Sequence, residues 1–195
     1  MNFKRFSALC GIIAPILLFF IVIILGFLNP GYSHIIEGIS GLGAIGEPNA
    51  MIMNLFGFFI VGILIIIFSS GLHKGINNGK ESRTGMIFLI LCGIFFMLIG
   101  FFKIGVSEIV TRIHSLAALA SFLFGGIGIV IISRKFKKDP YWKKYSFYSF
   151  ITGLITIFSI FAGRLSIYGG LRQRFFLMVF FLWVEIIAIK LLKKY

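Results

Sequence analysis

Charge is scarce in this sequence, and negative charge scarcer still: of 195 residues 19 are Lys or Arg and 6 are Asp or Glu, against 59% hydrophobic residues and 25 Phe. So few charged groups cannot cover the surface of a water-soluble fold of this length, which excludes a soluble enzyme or binding domain. Cysteine is limited to Cys10 and Cys92, both inside apolar runs. Two thiols set no disulfide framework and by themselves make no zinc site. There is no Gly-x-Ser-x-Gly elbow and no His-x-x-x-His spacing, so neither a hydrolase nucleophile nor a helical metal pair is signalled. The apolar runs lack period-2 alternation, which removes a transmembrane barrel. The longest connections, residues 29–49 and 133–145, are too short for a soluble domain.

What is present is apolar sequence in lengths set by a bilayer. Runs of about 18 to 23 residues match a hydrocarbon core of about 30 Å, and they fall at Ala8 to Leu28, Ala50 to Leu72, Gly85 to Phe102, Ile109 to Ile132, Ser146 to Ala162 and Phe175 to Leu192. Helices satisfy the backbone inside lipid. The predicted fold is therefore all-α, a single domain over residues 1–195 built as a bundle of six transmembrane helices. Lys4 and Arg5 precede the first run as in a signal peptide, but the run is too long for an h-region and has no small-x-small cleavage site, so it is expected to stay as an anchor.

Basic residues set the orientation. Lys4 and Arg5, then Lys74, Lys80 and Arg83, then six between Arg134 and Lys144, then Lys190, Lys193 and Lys194 all fall on one side of the predicted bundle. By the positive-inside rule that side is cytoplasmic in the cell membrane, with both termini on it. The net charge of +13 is then an orientation signal and an attraction for lipid head groups, not a nucleic-acid footprint. The loop Ser133 to Lys144 interleaves basic residues with Tyr141 and Trp142, a composition that suits a head-group interface.

The opposite side carries the candidate site. Residues 29–49 contain no Lys or Arg. Ile35, Ile36, Ile39 and Leu42 recur at helical spacing after Ser33, which predicts a short amphipathic helix lying in the interface with Ser33 as its N-cap. Such a segment is either a structured lid or the cover of a site lined by Ser40, Glu47 and Asn49. Glu108 and Arg112 open the fourth helix four residues apart. Below them His114, Ala117, Ala118, Ser121, Gly125 and Gly128 share a face whose small residues predict close helix packing, with His114 at its outer end. Arg164, Arg172 and Arg174 break the positive-inside pattern between the last two helices. With Arg112 they form a donor set suited to a phosphate or carboxylate; the other reading is that they neutralise Glu37, Glu47 and Glu108 or snorkel to lipid phosphates.

Gly11-Ile-Ile-Ala-Pro15, Pro30-Gly-Tyr-Ser33, Ile39-Ser40 with Leu42-Gly43, Pro48-Asn-Ala50, Met53-Asn54 and Gly170-Leu-x-x-Arg174 with Trp183 together resemble the DUF998 family of prokaryotic membrane proteins across essentially the whole chain. The resemblance implies six helices and a motif on the outer face, and it supplies no reaction. The stretch from Ile39-Ser40 to Pro48, and His114-x-x-x-Ala118, are more distantly similar to the Frag1/DRAM/Sfk1 group. That group usually has an acidic residue after the proline, where this chain has Asn49.

Ionisable residues inside the apolar runs are candidates in their own right. Glu185 lies in the sixth run with no opposite charge at i+4, so it is protonated, paired with another helix or in a water-filled cavity. His34 and His114 share the outer face without metal-ligand spacing, and His73 lies at the other end; no metal or cofactor is expected.

Three functions follow. The first is binding or modification of an anionic lipid head group at the outer leaflet, with Arg112, Arg164, Arg172, Arg174, Asn49 and Asn54 as ligand-binding residues and His114, Glu47 and Ser40 as the catalytic candidates. The second is a non-catalytic interaction protein that engages a lipid, a partner helix or a second copy through the small-residue face. The third is a small proton-coupled transporter using Glu185 and His114, against which stands the lack of paired broken helices.

Overall fold

The computed structural model describes residues 1–76, 79–161 and 168–195. It is helical throughout: α1 Phe3–Leu28, α2 Ala50–Gly75, α3 Lys80–Phe101, α4 Glu108–Lys137, α5 Ser146–Phe158 and α6 Gly169–Leu192. Five of them, α1, α2, α3, α4 and α6, are long and apolar enough to cross a membrane. Helix α5 has 13 residues, about 20 Å at 1.5 Å per residue, short of a full hydrocarbon core. The sequence predicts that helix as far as Ala162, but its regular winding stops at Phe158, where the Ser159 hydroxyl donates to the Thr156 carbonyl at 2.6 Å and Ile160 N–H reaches Ile157 O in a tighter turn. Ala162 itself lies outside the described residues.

One end of the bundle is basic. Lys4 stands over the Tyr195 ring and Lys74 over the Phe3 ring. The Lys194 ammonium donates to Gly75 O at 2.9 Å, the Tyr141 hydroxyl to Lys190 O, and Lys138 to Glu81. These ties gather both chain termini, the end of α2, the start of α3 and the α4–α5 connection. Tyr145 belongs to this end, where Lys190 stands over its ring, whereas Gly170 N–H bonds to Ile36 O at the other.

Close helix contact is made by glycine facing glycine. A Cβ on Gly62 of α2 would stand 2.6 Å from Gly93 O of α3, and one on Gly126 of α4 would stand 2.8 Å from Gly153 O of α5. Lipid supplies no hydrophobic drive between helices, so backbone-to-backbone packing of this kind holds them together. The predicted α4 face is largely buried, at His114, Ala117, Ser121, Gly125 and Gly128, with Ala118 at its edge. Around it lies an aromatic core in which Phe96, Phe180 and Phe181 meet edge to face and Trp183 donates to the Ser149 hydroxyl at 2.8 Å. Cys10 and Cys92 are free and buried.

Helix α2 is wound as a π-helix over Met53–Ile60. There Asn54 extends its amide to Gly43 O at 2.8 Å, and its own carbonyl meets Gly100 of α3, where a Cβ would stand 2.5 Å away. This widened turn fixes the floor under the 29–49 loop, a placement common for π-turns.

Candidate functional site

The 29–49 loop does not form the interfacial helix predicted from its isoleucine spacing. Its helical part is a 3-10 turn, Ile39–Gly43, with Ile39 and Leu42 buried in the core and Ile35 and Ile36 exposed. Ser33 starts a single turn by accepting from Ile36 N–H, with Glu37 N–H bonded to Ser33 O. The reason the turn does not propagate is that its carbonyls are engaged elsewhere. The α6 amides of Leu171 and Gly170 bond to Ile35 O and Ile36 O at 2.9 and 3.0 Å. The Arg174 guanidinium donates to His34 O at 2.7 Å and Glu37 O at 2.8 Å. Four consecutive loop carbonyls thus meet the donors that the first turn of α6 leaves without intrahelical partners, together with one arginine. Gly170 is required here, since a Cβ would fall 2.3 Å from Glu37 O.

Arg174 is engaged by the loop through both terminal nitrogens, while its buried Nε has no partner among the described residues. Its second terminal nitrogen donates to the Tyr32 hydroxyl at 2.6 Å and to His34 Nδ1 at 3.0 Å, and Tyr32 meets His34 edge to face. Accepting from Arg174 requires His34 Nδ1 to be unprotonated. Burial, and then the Arg174 charge, hold His34 below its usual imidazole value. Burial pushes the Tyr32 phenol up, and Arg174 offsets part of that rise. Gln173 completes the lock by accepting from Ile39 N–H at 2.7 Å.

The remaining predicted site residues are dispersed around this clamp. Arg112 pairs with Glu108 at 2.5 Å on an exposed face, three-quarters open to its surroundings. Glu47 accepts from the Asn29 amide. Ser40 lies in the 3-10 turn and Asn49 precedes α2 without making a side-chain cap. His114 is 4% exposed; its Nδ1 lies 2.7 Å from Phe102 O, which makes Nδ1 the protonated nitrogen and leaves Nε2 a buried acceptor with no partner among the described residues. His114 and Glu47 therefore bond to different neighbours, and no hydrogen bond joins either of them to the other or to Ser40. Arg164 lies outside the described residues. Among the described residues, no group of three or more His, Cys, Asp or Glu is placed to hold a metal ion.

Arg172 differs from Arg174 in having a terminal nitrogen free: its Nη1 is shielded from solvent and has no hydrogen-bond partner among the described residues. It stands in the wall of a cavity of about 410 Å³ between α4, the end of α5 and α6, whose rim also carries Gln173 and Ser159 and whose body is Leu119, Phe122 and Phe176. Arg172 is the one charged side chain among the described residues that line this cleft.

The DUF998 family model, described as a protein of unknown function, matches residues 12–190. The chain belongs to the DUF998 family. No curated protein and no solved structure matches it. The matched region of this DUF998 chain contains the whole loop clamp, the Arg172 cleft and Glu185. Sequence reasoning missed Gln173 and Tyr32 as parts of the clamp. The available signal was the spacing of Gly170 and Arg174, one helical turn apart at the start of α6, which places a close backbone approach directly below a guanidinium.

Proposed function

We propose that this DUF998 protein crosses the membrane six times with both termini in the cytoplasm and holds an anionic amphiphile at its outward end, in the cleft beside Arg172. The observation that carries the reading is the shielded Arg172 Nη1, without a partner among the described residues, in the wall of a largely apolar cavity. A guanidinium held there is left one donor short until an anionic oxygen arrives. The aromatic and aliphatic walls suit the acyl portion of the same molecule. The reading is of binding rather than of group transfer, because His114, Glu47 and Ser40 are bonded or directed elsewhere. The orientation rests on the lysines gathered at the basic end.

The test is mass spectrometry of lipids that co-purify with the full chain in mild detergent, wild type beside Arg172→Gln. An anionic lipid enriched over bulk membrane in the wild type and lost in the variant is the expected outcome. Absence of enrichment, or enrichment that survives the substitution, overturns the reading. Orientation is checked separately by C-terminal reporter fusions: fluorescent protein is expected to light and periplasmic phosphatase to stay silent.

A further inference from the structure

A second cavity, of about 630 Å³, lies on the opposite side of α6 in the seam with α1. Its walls are Pro15 and Phe19 from α1 and Met178, Leu182 and Glu185 from α6, and Glu185 is the lone polar side chain among the described residues that line it. Glu185 is sixteen residues from the start of α6 and seven from its end, about 24 and about 10 Å along the axis, well inside a helix long enough to span the membrane. It is only partly buried and makes no hydrogen bond or ion pair with any described residue.

The neighbouring elements offer it no counter-charge. Beyond Arg5, α1 carries no charged residue, and Cys10 is its only ionisable group. Helix α5 has none but Tyr148, while His73 and Lys74 of α2 lie at the basic end, Lys74 over the Phe3 ring. Lys190, one turn further along α6, sits 3.5 Å from the Tyr141 ring centroid. Opposite the carboxyl, Pro15 has no N–H, so the Gly11 carbonyl one turn earlier loses its helical donor. This part of the seam is therefore short of positive charge and of hydrogen-bond donors.

From this placement we infer that the α1–α6 groove is a binding site for a lipophilic organic cation, whose charge meets Glu185 while its apolar groups fill the space between Phe19, Met178 and Leu182. An isolated carboxyl at this depth is costly when ionised, and an opposite charge within the groove removes that cost. A neutral lipid chain would fill the volume and leave the carboxyl unmatched. A second copy docked through the same groove would bring another carboxyl instead of a counter-charge. The inference is independent of the Arg172 cleft, which is lined by different residues of α6.

The experiment titrates tetraphenylphosphonium into the full chain in nanodiscs of zwitterionic lipid, with tetraphenylborate as a probe of matching shape and opposite charge. Saturable phosphonium binding is expected, weakened about tenfold or more in Glu185→Gln, with no saturable borate binding. Leu182→Trp fills the groove with the carboxyl intact and is expected to block binding, which decides the matter if the Gln variant fails to fold. The inference is overturned if the wild type shows no saturable phosphonium binding, if Glu185→Gln binds as well as wild type, or if borate binds as tightly as phosphonium.

Discussion

The two ends of the bundle both carry basic side chains and use them in opposite ways. At the basic end the cations lie over rings, Lys190 and Lys194 on Tyr141, Lys4 on Tyr195 and Lys74 on Phe3; the ring faces leave the ammonium donors of Lys4, Lys74 and Lys190 free for water and lipid phosphate, while Lys194 also donates to Gly75 O. At the loop end Arg174 directs its donors into two carbonyls, a phenol and an imidazole of its own chain. The comparison teaches that a cluster of arginines in sequence does not locate a ligand site. What matters is which donors are already engaged: Arg174 keeps only its Nε without a partner among the described residues, whereas Arg172, two residues away, keeps a terminal nitrogen free and lines a cavity.

If the loop end is a structural lock, breaking it has the largest effect. Arg174→Ala leaves the His34 and Glu37 carbonyls without their donors and is expected to lower stability by about 3 kcal/mol, read by thermal unfolding in detergent. Arg174→Lys is expected to recover only part of this, because a single ammonium cannot span Tyr32 and both carbonyls. A variant as stable as wild type would remove the lock from the account.

The glycine seams come next. Gly126→Leu places side-chain atoms against Gly153 O and the Ile157 side chain, and about 1–3 kcal/mol of destabilisation is expected in the same assay.

Acid probes the lock more gently. Folded His34 takes up a proton only below its usual value, so the unfolded chain binds the proton first as pH falls. The contribution of neutral His34 is present above about pH 6.5 and declines as pH drops through that value. The unfolding temperature is expected to fall between about pH 7.5 and about pH 5, and His34→Gln is expected to flatten that slope.

Substitution at the basic end sets the lower bound. Lys190→Ala removes one cation from the half-buried Tyr141 and Tyr145 rings and is expected to change stability by about 0.5–1 kcal/mol.

Much of the fold was legible because it is written in side chains. Apolar length located the helices, and the spacing of Ala117, Ser121, Gly125 and Gly128 identified the packed face of α4. The clamp was not legible, because its acceptors are the carbonyls of residues 34–37, and every residue type carries one. Reading helical periodicity in Ile35, Ile36, Ile39 and Leu42 assumed that those carbonyls bond within their own segment, whereas the first turn of α6 claims them. The end of α5 was missed for a related reason: Thr156 and Ser159 read as apolar-run neighbours, while their hydroxyls turn back onto the backbone. The site residues divide similarly. Arginine at the loop end was visible in the sequence, but which arginine kept a terminal nitrogen free depended on the clamp.

The Arg172 cleft is the claim on which the functional reading turns, and crosslinking from within it is the most direct measurement. A benzophenone amino acid in place of Phe176, which lines the cleft, is irradiated in nanodiscs that hold anionic and zwitterionic lipid in equal amounts, and the crosslinked lipid is identified by mass. Predominant capture of the anionic lipid, abolished by Arg172→Gln and unaffected by Lys190→Ala, is the predicted result. Capture of both lipids in proportion to their abundance, or anionic capture indifferent to Arg172, would contradict it.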